Sequence, residues 1–297
     1  MIFKIVLLLI VVFIVLIAVK YFLCINNANK RLNSFEKMTS TIDTSFGKMT
    51  YIDKGSGEAI LVCHGICGGY DQGYDALKDR VNDYRIIAPS RFGYTGTDMP
   101  KVATVKAQAE AYKELLDKLD IDKVYVLATS AGGTPAIRFA LDYPERTKGL
   151  ILYCSSMPAD IKPDSYEEYT GPPKQVCNNF MMWIISPLFE PLMGMESSTI
   201  NEILPINKKV AGILFDSEIV NPDMDRNYDD YDVENLQIPT IVFNAKDDKL
   251  ALYSRTKAAV ERFPNCTFIS FESGGHLMKG NQDRINIELD KFIENTH

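Results

Sequence analysis

Val124-Tyr125-Val126-Leu127-Ala128-Thr129-Ser130-Ala131-Gly132-Gly133 runs an apolar strand into a turn of small residues that carries one serine, and then into a helix-like stretch. A strand–serine–helix turn of this kind needs small residues two before and two after the serine, here Ala128 and Gly132. The strained backbone turns the serine outward while strand and helix close behind it. Ser130 is therefore expected at the carboxyl edge of a sheet, where α/β folds place their ligands.

Serine is a weak nucleophile, so this reading requires a base, an orienting acid and an oxyanion site elsewhere. His276 lies in Phe271-Glu272-Ser273-Gly274-Gly275-His276-Leu277, just past the β-like run Cys266 to Phe271, and is the only histidine of the C-terminal half apart from His297. Asp247 and Asp248 follow another apolar run, Thr240 to Ala245, which puts a carboxylate at a strand end. Backbone amides are the expected oxyanion donors. His64-Gly65-Ile66-Cys67-Gly68-Gly69 follows the strand-like Ala59 to Cys63, and we assign the donors to Ile66 and to Ala131, the residue after the serine. His64 reads as a brace of that loop rather than as the base, and Cys67 as a bystander rather than a catalytic thiol.

From about residue 45 to 297 the chain resembles the α/β-hydrolase superfamily. The residues that carry the resemblance are His64-Gly65 after an early strand, the serine turn, an acid after a late strand, Gly275-His276 near the end, and the order Ser, Asp, His along the chain. Ala88-Pro89-Ser90-Arg91-Phe92-Gly93-Tyr94-Thr95-Gly96 is similar to the segment that many members write Asp-Arg-x-Gly-x-Gly, with Ser90 and Thr95 departing from it. Ala128 departs from the usual first glycine of Gly-x-Ser-x-Gly. The family pattern favours Asp248 over Asp247 as the acid: counting from Asp248 places small Ala245 where a glycine is common, and Leu252 where a proline is. Asp247 stays the alternative, and whichever is not the acid reads as a solvated loop carboxylate or a charge near the next helix.

The resemblance implies an α/β-hydrolase fold, with a mostly parallel central sheet, helices on both faces and a helical cap inserted over the serine. It also implies a serine hydrolase acting on a carboxylic ester or related small-molecule acyl substrate, with Ser130, His276 and Asp248 as catalytic residues. No metal or organic cofactor is implied. Acyl transfer, peptide release and carbon–carbon bond hydrolysis run on the same triad in related families, and the fold also serves as a non-catalytic binding module.

At 297 residues the chain holds one such domain with a modest insertion, and its net charge of −7 supplies no basic stripe for nucleic acid. Residues 1–25 are a separate segment, apolar without interruption from Ile5 to Val19 and about long enough to cross a hydrocarbon core of roughly 30 Å. No Ala-x-Ala-like cleavage site follows, and Phe22-Leu23 before Cys24 is a poor lipoprotein site, so an uncleaved single-pass anchor is expected over a signal peptide. Lys20, Lys30 and Arg31 outnumber the single Lys4 across the span and lean toward a cytoplasmic catalytic domain. The cysteines lean the same way, Cys63 and Cys154 falling in apolar runs like buried thiols.

Residues 26–45 are polar without a clear period and read as a linker. From 46 to 297, strands are expected over 48–52, 59–63, 84–87, 123–127, 149–153, 240–244 and 266–271. Helices are expected over 105–119, 132–141, 255–263 and 282–294. The interval 157–237 breaks this alternation and is the expected cap. Within it, Phe180-Met181-Met182-Trp183-Ile184-Ile185 is either the wall of an acyl pocket or packing that holds the cap to the core.

Overall fold

The computed structural model describes residues 1–296. Its strands are β1 (Thr39–Thr44), β2 (Gly47–Lys54), β3 (Glu58–Cys63), β4 (Tyr84–Pro89), β5 (Val124–Thr129), β6 (Thr147–Tyr153), β7 (Thr240–Ala245) and β8 (Cys266–Phe271). They form one sheet in the order β1-β2-β4-β3-β5-β6-β7-β8, antiparallel where β2 meets β1 and β4 and parallel from β4 through to β8.

The helices are α1 (Ile2–Glu36), α2 (Tyr70–Asp75), α3 (Val105–Lys118), α4 (Gly133–Asp142), five short cap helices, α10 (Tyr253–Val260) and α11 (Gln282–Asn295). Successive strand residues point to opposite faces, so each central strand divides its side chains between two cores. Leu61, Val126, Leu152 and Val242 pack with the apolar sides of α3, α4 and α10. Ile60, Leu127, Ile151 and Phe243 pack on the other face with α11 and with Leu32 and Phe35 of α1. A sheet buried on both faces explains the unbroken apolar runs of β5 and β7.

The cap is inserted in the chain between the paired strands β6 and β7, and carries α5 (Asn179–Ile185), α6 (Phe189–Met193), α7 (Ile200–Ile203), α8 (Val210–Phe215) and α9 (Asn221–Arg226). Asn178 caps α5 by accepting from the Met181 N–H at 2.9 Å. A wide-turned stretch, Asp216–Val220, joins α8 to α9.

Residues 26–45 are not a linker. The helix that begins at Ile2 continues without a break to Glu36 and is followed directly by β1. Ala28, Leu32 and Phe35 form a stripe at helical spacing that is buried against the domain. Three apolar residues among asparagines and lysines make a stripe too narrow to register as a period. β1, with the sequence TSTIDT, is a largely solvent-facing edge strand without apolar alternation, so it too escapes a pattern search.

The lower part of α1 is exposed along its length, from Ile2 to Leu16 and at Val19, and its most apolar window has a mean hydropathy of 3.5. One helix of this length and composition is able to cross a bilayer. The six cysteines are free thiols.

Candidate active site

Ser130 sits at the end of β5 with φ +52°, the left-handed conformation that a side chain tolerates only where the surroundings enforce it. The enforcement comes from close backbone approach. A Cβ on Gly132 would lie 2.2 Å from the Cys63 carbonyl oxygen, so only glycine allows the start of α4 to close against β3. Ala128 is fully buried inside β5, and its carbonyl accepts from Ser155 Oγ at 3.0 Å.

His276 reaches this serine from the loop after β8. Its Nε2 lies 2.9 Å from Ser130 Oγ, and its Nδ1 lies 3.0 Å from each oxygen of Asp248. Both His276 and Asp248 are buried. Asp248 is fixed in turn, since its Oδ1 accepts from the backbone N–H of Leu250 at 2.8 Å and Ala251 at 3.0 Å. A carboxylate held on one side of an imidazole and a hydroxyl on the other is the arrangement that removes a proton from serine and stabilises the imidazolium formed.

Asp247 has a different partner. It accepts from the N–H groups of Gly275 at 2.9 Å and Gly274 at 3.2 Å, so it fastens the loop that carries His276. It is an exposed loop carboxylate that also anchors the histidine loop.

His64 is buried, and its position excludes it as the base. The Arg91 N–H donates to its Nε2 at 3.0 Å, which leaves the ring proton on Nδ1 to donate to the Gly65 carbonyl at 2.8 Å. Burial, reinforced by the Arg91 charge, holds its pKa well below the ordinary histidine value, so the ring is neutral. Burial also pushes the Cys67 thiol up to about 12, against a smaller opposing pull from Lys209, and such a thiol is not a nucleophile at neutral pH.

Ser130, Ala131, His276 and Ile66 line one cavity of about 1240 Å³. The loops bearing Ile66 and Ala131 close on one another, a Cβ on Gly65 standing 3.2 Å from that of Ser130. The cap supplies the far wall through Met182, Ile185, Phe189, Leu192 and Met193. Of the run Phe180 to Ile185, Met182 and Ile185 face the cavity, whereas Phe180 and Trp183 pack on the ring of Tyr21 in α1 at centroid distances of 5.3 and 5.4 Å.

Three groups near the site carry no sequence signal of their role. Arg91, in the loop after β4, is buried in a bidentate ion pair with Asp216 of the cap, which the Tyr94 hydroxyl joins. Lys209 of the cap is fully buried and donates to the Cys67 carbonyl at 2.9 Å, tying the cap to the Ile66 loop. Cys154, at the end of β6 with φ +38°, places its sulfur among the ligand atoms of Asp248 and His276, all within 4.8 Å. Burial and the neighbouring Asp248 charge raise its pKa well above the usual thiol value, so it is a neutral filler beside the acid. Arg91 had stood out only as part of a motif; its partner lies 125 residues away.

The family model of the α/β hydrolase fold matches residues 58–176. An uncharacterized hydrolase of Bacillus subtilis is 36% identical over 138 residues, 46% of this chain and 48% of that one. The 2-hydroxy-6-oxo-6-phenylhexa-2,4-dienoate hydrolase of Burkholderia cepacia is 37% identical over 106 residues, 34% of this chain and 37% of that one. The chain thus spans about half or less of the length of these curated relatives. Among solved structures, the enol-lactonase of Burkholderia xenovorans superposes with a TM-score of 0.70 at 13% identity, over 86% of this chain and all of that one.

Proposed function

Because this chain belongs to the α/β-hydrolase superfamily, we propose that it is a serine hydrolase cleaving a carboxylic ester or related acyl compound, held at a membrane by α1 as an uncleaved anchor. The observation that carries the reading is the unbroken chain Ser130 Oγ, His276 Nε2, His276 Nδ1, Asp248, standing at the floor of an apolar-walled cavity.

In this mechanism Ser130 Oγ attacks the acyl carbon as His276 Nε2 takes its proton, and Asp248 holds the imidazolium through Nδ1–H. The oxyanion forms between the amides of Ile66 and Ala131. Ile66 is favoured in its loop because the neighbouring Gly65 N–H is already donated to Gln72 Oε1 at 2.7 Å. Collapse breaks the ester C–O bond, and the leaving alkoxide takes the proton from His276. A water molecule then gives a proton to His276, its oxygen attacks the acyl carbon, and the acid departs as the proton returns to Ser130. No cofactor enters these steps.

A second reading, hydrolysis of a dienoate in the manner named for the Burkholderia cepacia relative, is supported by the sequence likeness to that relative. Assaying 2-hydroxy-6-oxo-dienoates beside simple esters separates the two. The primary test is labelling by a fluorophosphonate. The wild type is expected to label and to hydrolyse short esters, whereas folded Ser130→Ala and His276→Ala are expected to lose nearly all of both. Retention of more than about a tenth of the activity by Ser130→Ala would overturn the assignment.

A further inference from the structure

Trp183 and Phe180 meet α1 at Tyr21, two residues past the end of the uninterrupted apolar run Ile5 to Val19. Tyrosine and tryptophan concentrate at the level of lipid headgroups, where their rings have both an apolar and a polar neighbour. If α1 spans a bilayer, these rings therefore mark its surface, and whatever lies beside them on the cap lies at that surface too.

What lies beside them is apolar and uncovered. Phe180, Ile184, Leu188 and Leu192 are 44, 40, 51 and 67% exposed, along α5 and into α6. Phe180 and Ile184 are four residues apart and share one face of α5. The neighbouring side chains Ile185, Leu192 and Met193 line the cavity, so one short stretch of cap forms both an exposed face and an inner wall. The segment also touches the loop of His276: a Cβ on Gly194, just after α6, would lie 3.7 Å from the His276 backbone nitrogen, and Lys249 Nζ donates to the Pro191 carbonyl at 2.9 Å. Across the opening, Leu250 and Leu277 line the cavity while remaining 46 and 43% exposed. The rim nearest the triad is thus apolar on both sides.

We propose that the face formed by Phe180, Ile184, Leu188 and Leu192 seats in the bilayer beside α1, so that the cavity opens onto lipid and the substrate is a membrane-dissolved acyl lipid that enters from the bilayer. The occupant of the face is the phospholipid surface itself, because α1, already packed on this part of the cap, delivers it there. A water-facing patch of this kind would be an association hazard, whereas a lipid-facing one extends the apolar surface of the anchor. The substrate half of this inference rests on the acyl-hydrolase reading; the seating half does not.

Trp183 is the only tryptophan in the chain, so its fluorescence reports this region alone. Full-length protein is reconstituted in dioleoylphosphatidylcholine vesicles, with some lipids brominated near the headgroup end of the acyl chains, and is challenged separately with aqueous acrylamide. Quenching by the bromolipid together with shielding from acrylamide is expected; quenching by acrylamide alone would overturn the seating. The double variant Ile184→Glu/Leu188→Glu, at two positions outside the cavity lining, is then compared with wild type on a vesicle-dissolved monoacylglycerol and on a water-soluble butyrate ester. A fall of at least tenfold in kcat/KM on the lipid, with the butyrate rate unchanged, supports entry from the bilayer. Equal rates for the two proteins on both substrates would overturn it. Absence of turnover on either ester by the wild type would overturn the acyl-lipid substrate along with the hydrolase reading, while the quenching result still decides the seating.

Discussion

Asp247 and Asp248 are adjacent in the chain yet serve different groups, one binding the imidazole and the other the glycine N–H groups beneath it. Asp248→Asn keeps the shape but removes the carboxylate that sets the His276 tautomer, and a loss of about 10⁴ in kcat is expected. Asp247→Asn keeps one acceptor oxygen where two were used. One glycine N–H loses its partner, and a loss of ~1–2 kcal/mol in stability with less than a tenfold change in kcat is expected. Denaturant midpoints and steady-state rates on a short ester measure both; equal kinetic losses would mean that the loop anchor matters to chemistry as much as the acid. The choice between these neighbours was the least legible part of the site, because neither register reproduces the family spacing in full. The meeting of serine, histidine and an aspartate was legible, because each stands just past a strand of a parallel sheet and those strand ends converge on one edge.

At the scale of elements, the cap is fastened to the sheet by contacts that no local pattern announces. Arg91 and Asp216 are both buried, and replacing Arg91 by methionine leaves a carboxylate in the interior without its counter-charge. A destabilisation of ~3–5 kcal/mol is expected in the denaturant midpoint. Asp43→Ala breaks a pair with Lys48 whose members are both largely in water, and the midpoint is expected not to move measurably. If the two variants shift the midpoint alike, the buried pair does not hold the cap. The cap's interval was legible from its length, but its inner and outer faces were not. Met182 and Trp183 are consecutive on α5 and so point about 100° apart, one into the cavity and the other to Tyr21. Hydrophobicity alone assigns both to the same wall. The same limit hid the upper part of α1, where Leu32 and Phe35 join the core that includes Tyr70 and Leu289 while Ala28 joins the cap cluster of Met182 and Ile203, partners distant in the chain.

At the scale of the whole molecule, α1 belongs to two environments. Its upper half is part of the folded domain: Leu32 and Phe35 lie in the core below the sheet, and Arg31 bonds Asp71 at 2.7 Å and pairs with Asp75. Deleting residues 1–20 is expected to release a soluble domain with a melting temperature near that of the full chain. Deleting residues 1–37 removes Leu32, Phe35 and the Arg31 pair, and is expected to lower stability by at least about 3 kcal/mol, or roughly 6 °C in Tm. Equal melting temperatures for the two truncations would return residues 26–36 to the status of a tether. The helix runs without a break from its exposed apolar half into the domain, with no glycine or proline along its 35 residues to act as a hinge. It is a stilt rather than a leash. With α1 in a bilayer as proposed, the height of Ser130 over the headgroups is set by a count of residues, and each polar residue added between Val19 and Tyr21 would shift the whole domain by about 1.5 Å along the helix and turn it by about 100°, carrying the cap face off the lipid while leaving the contacts inside the domain untouched.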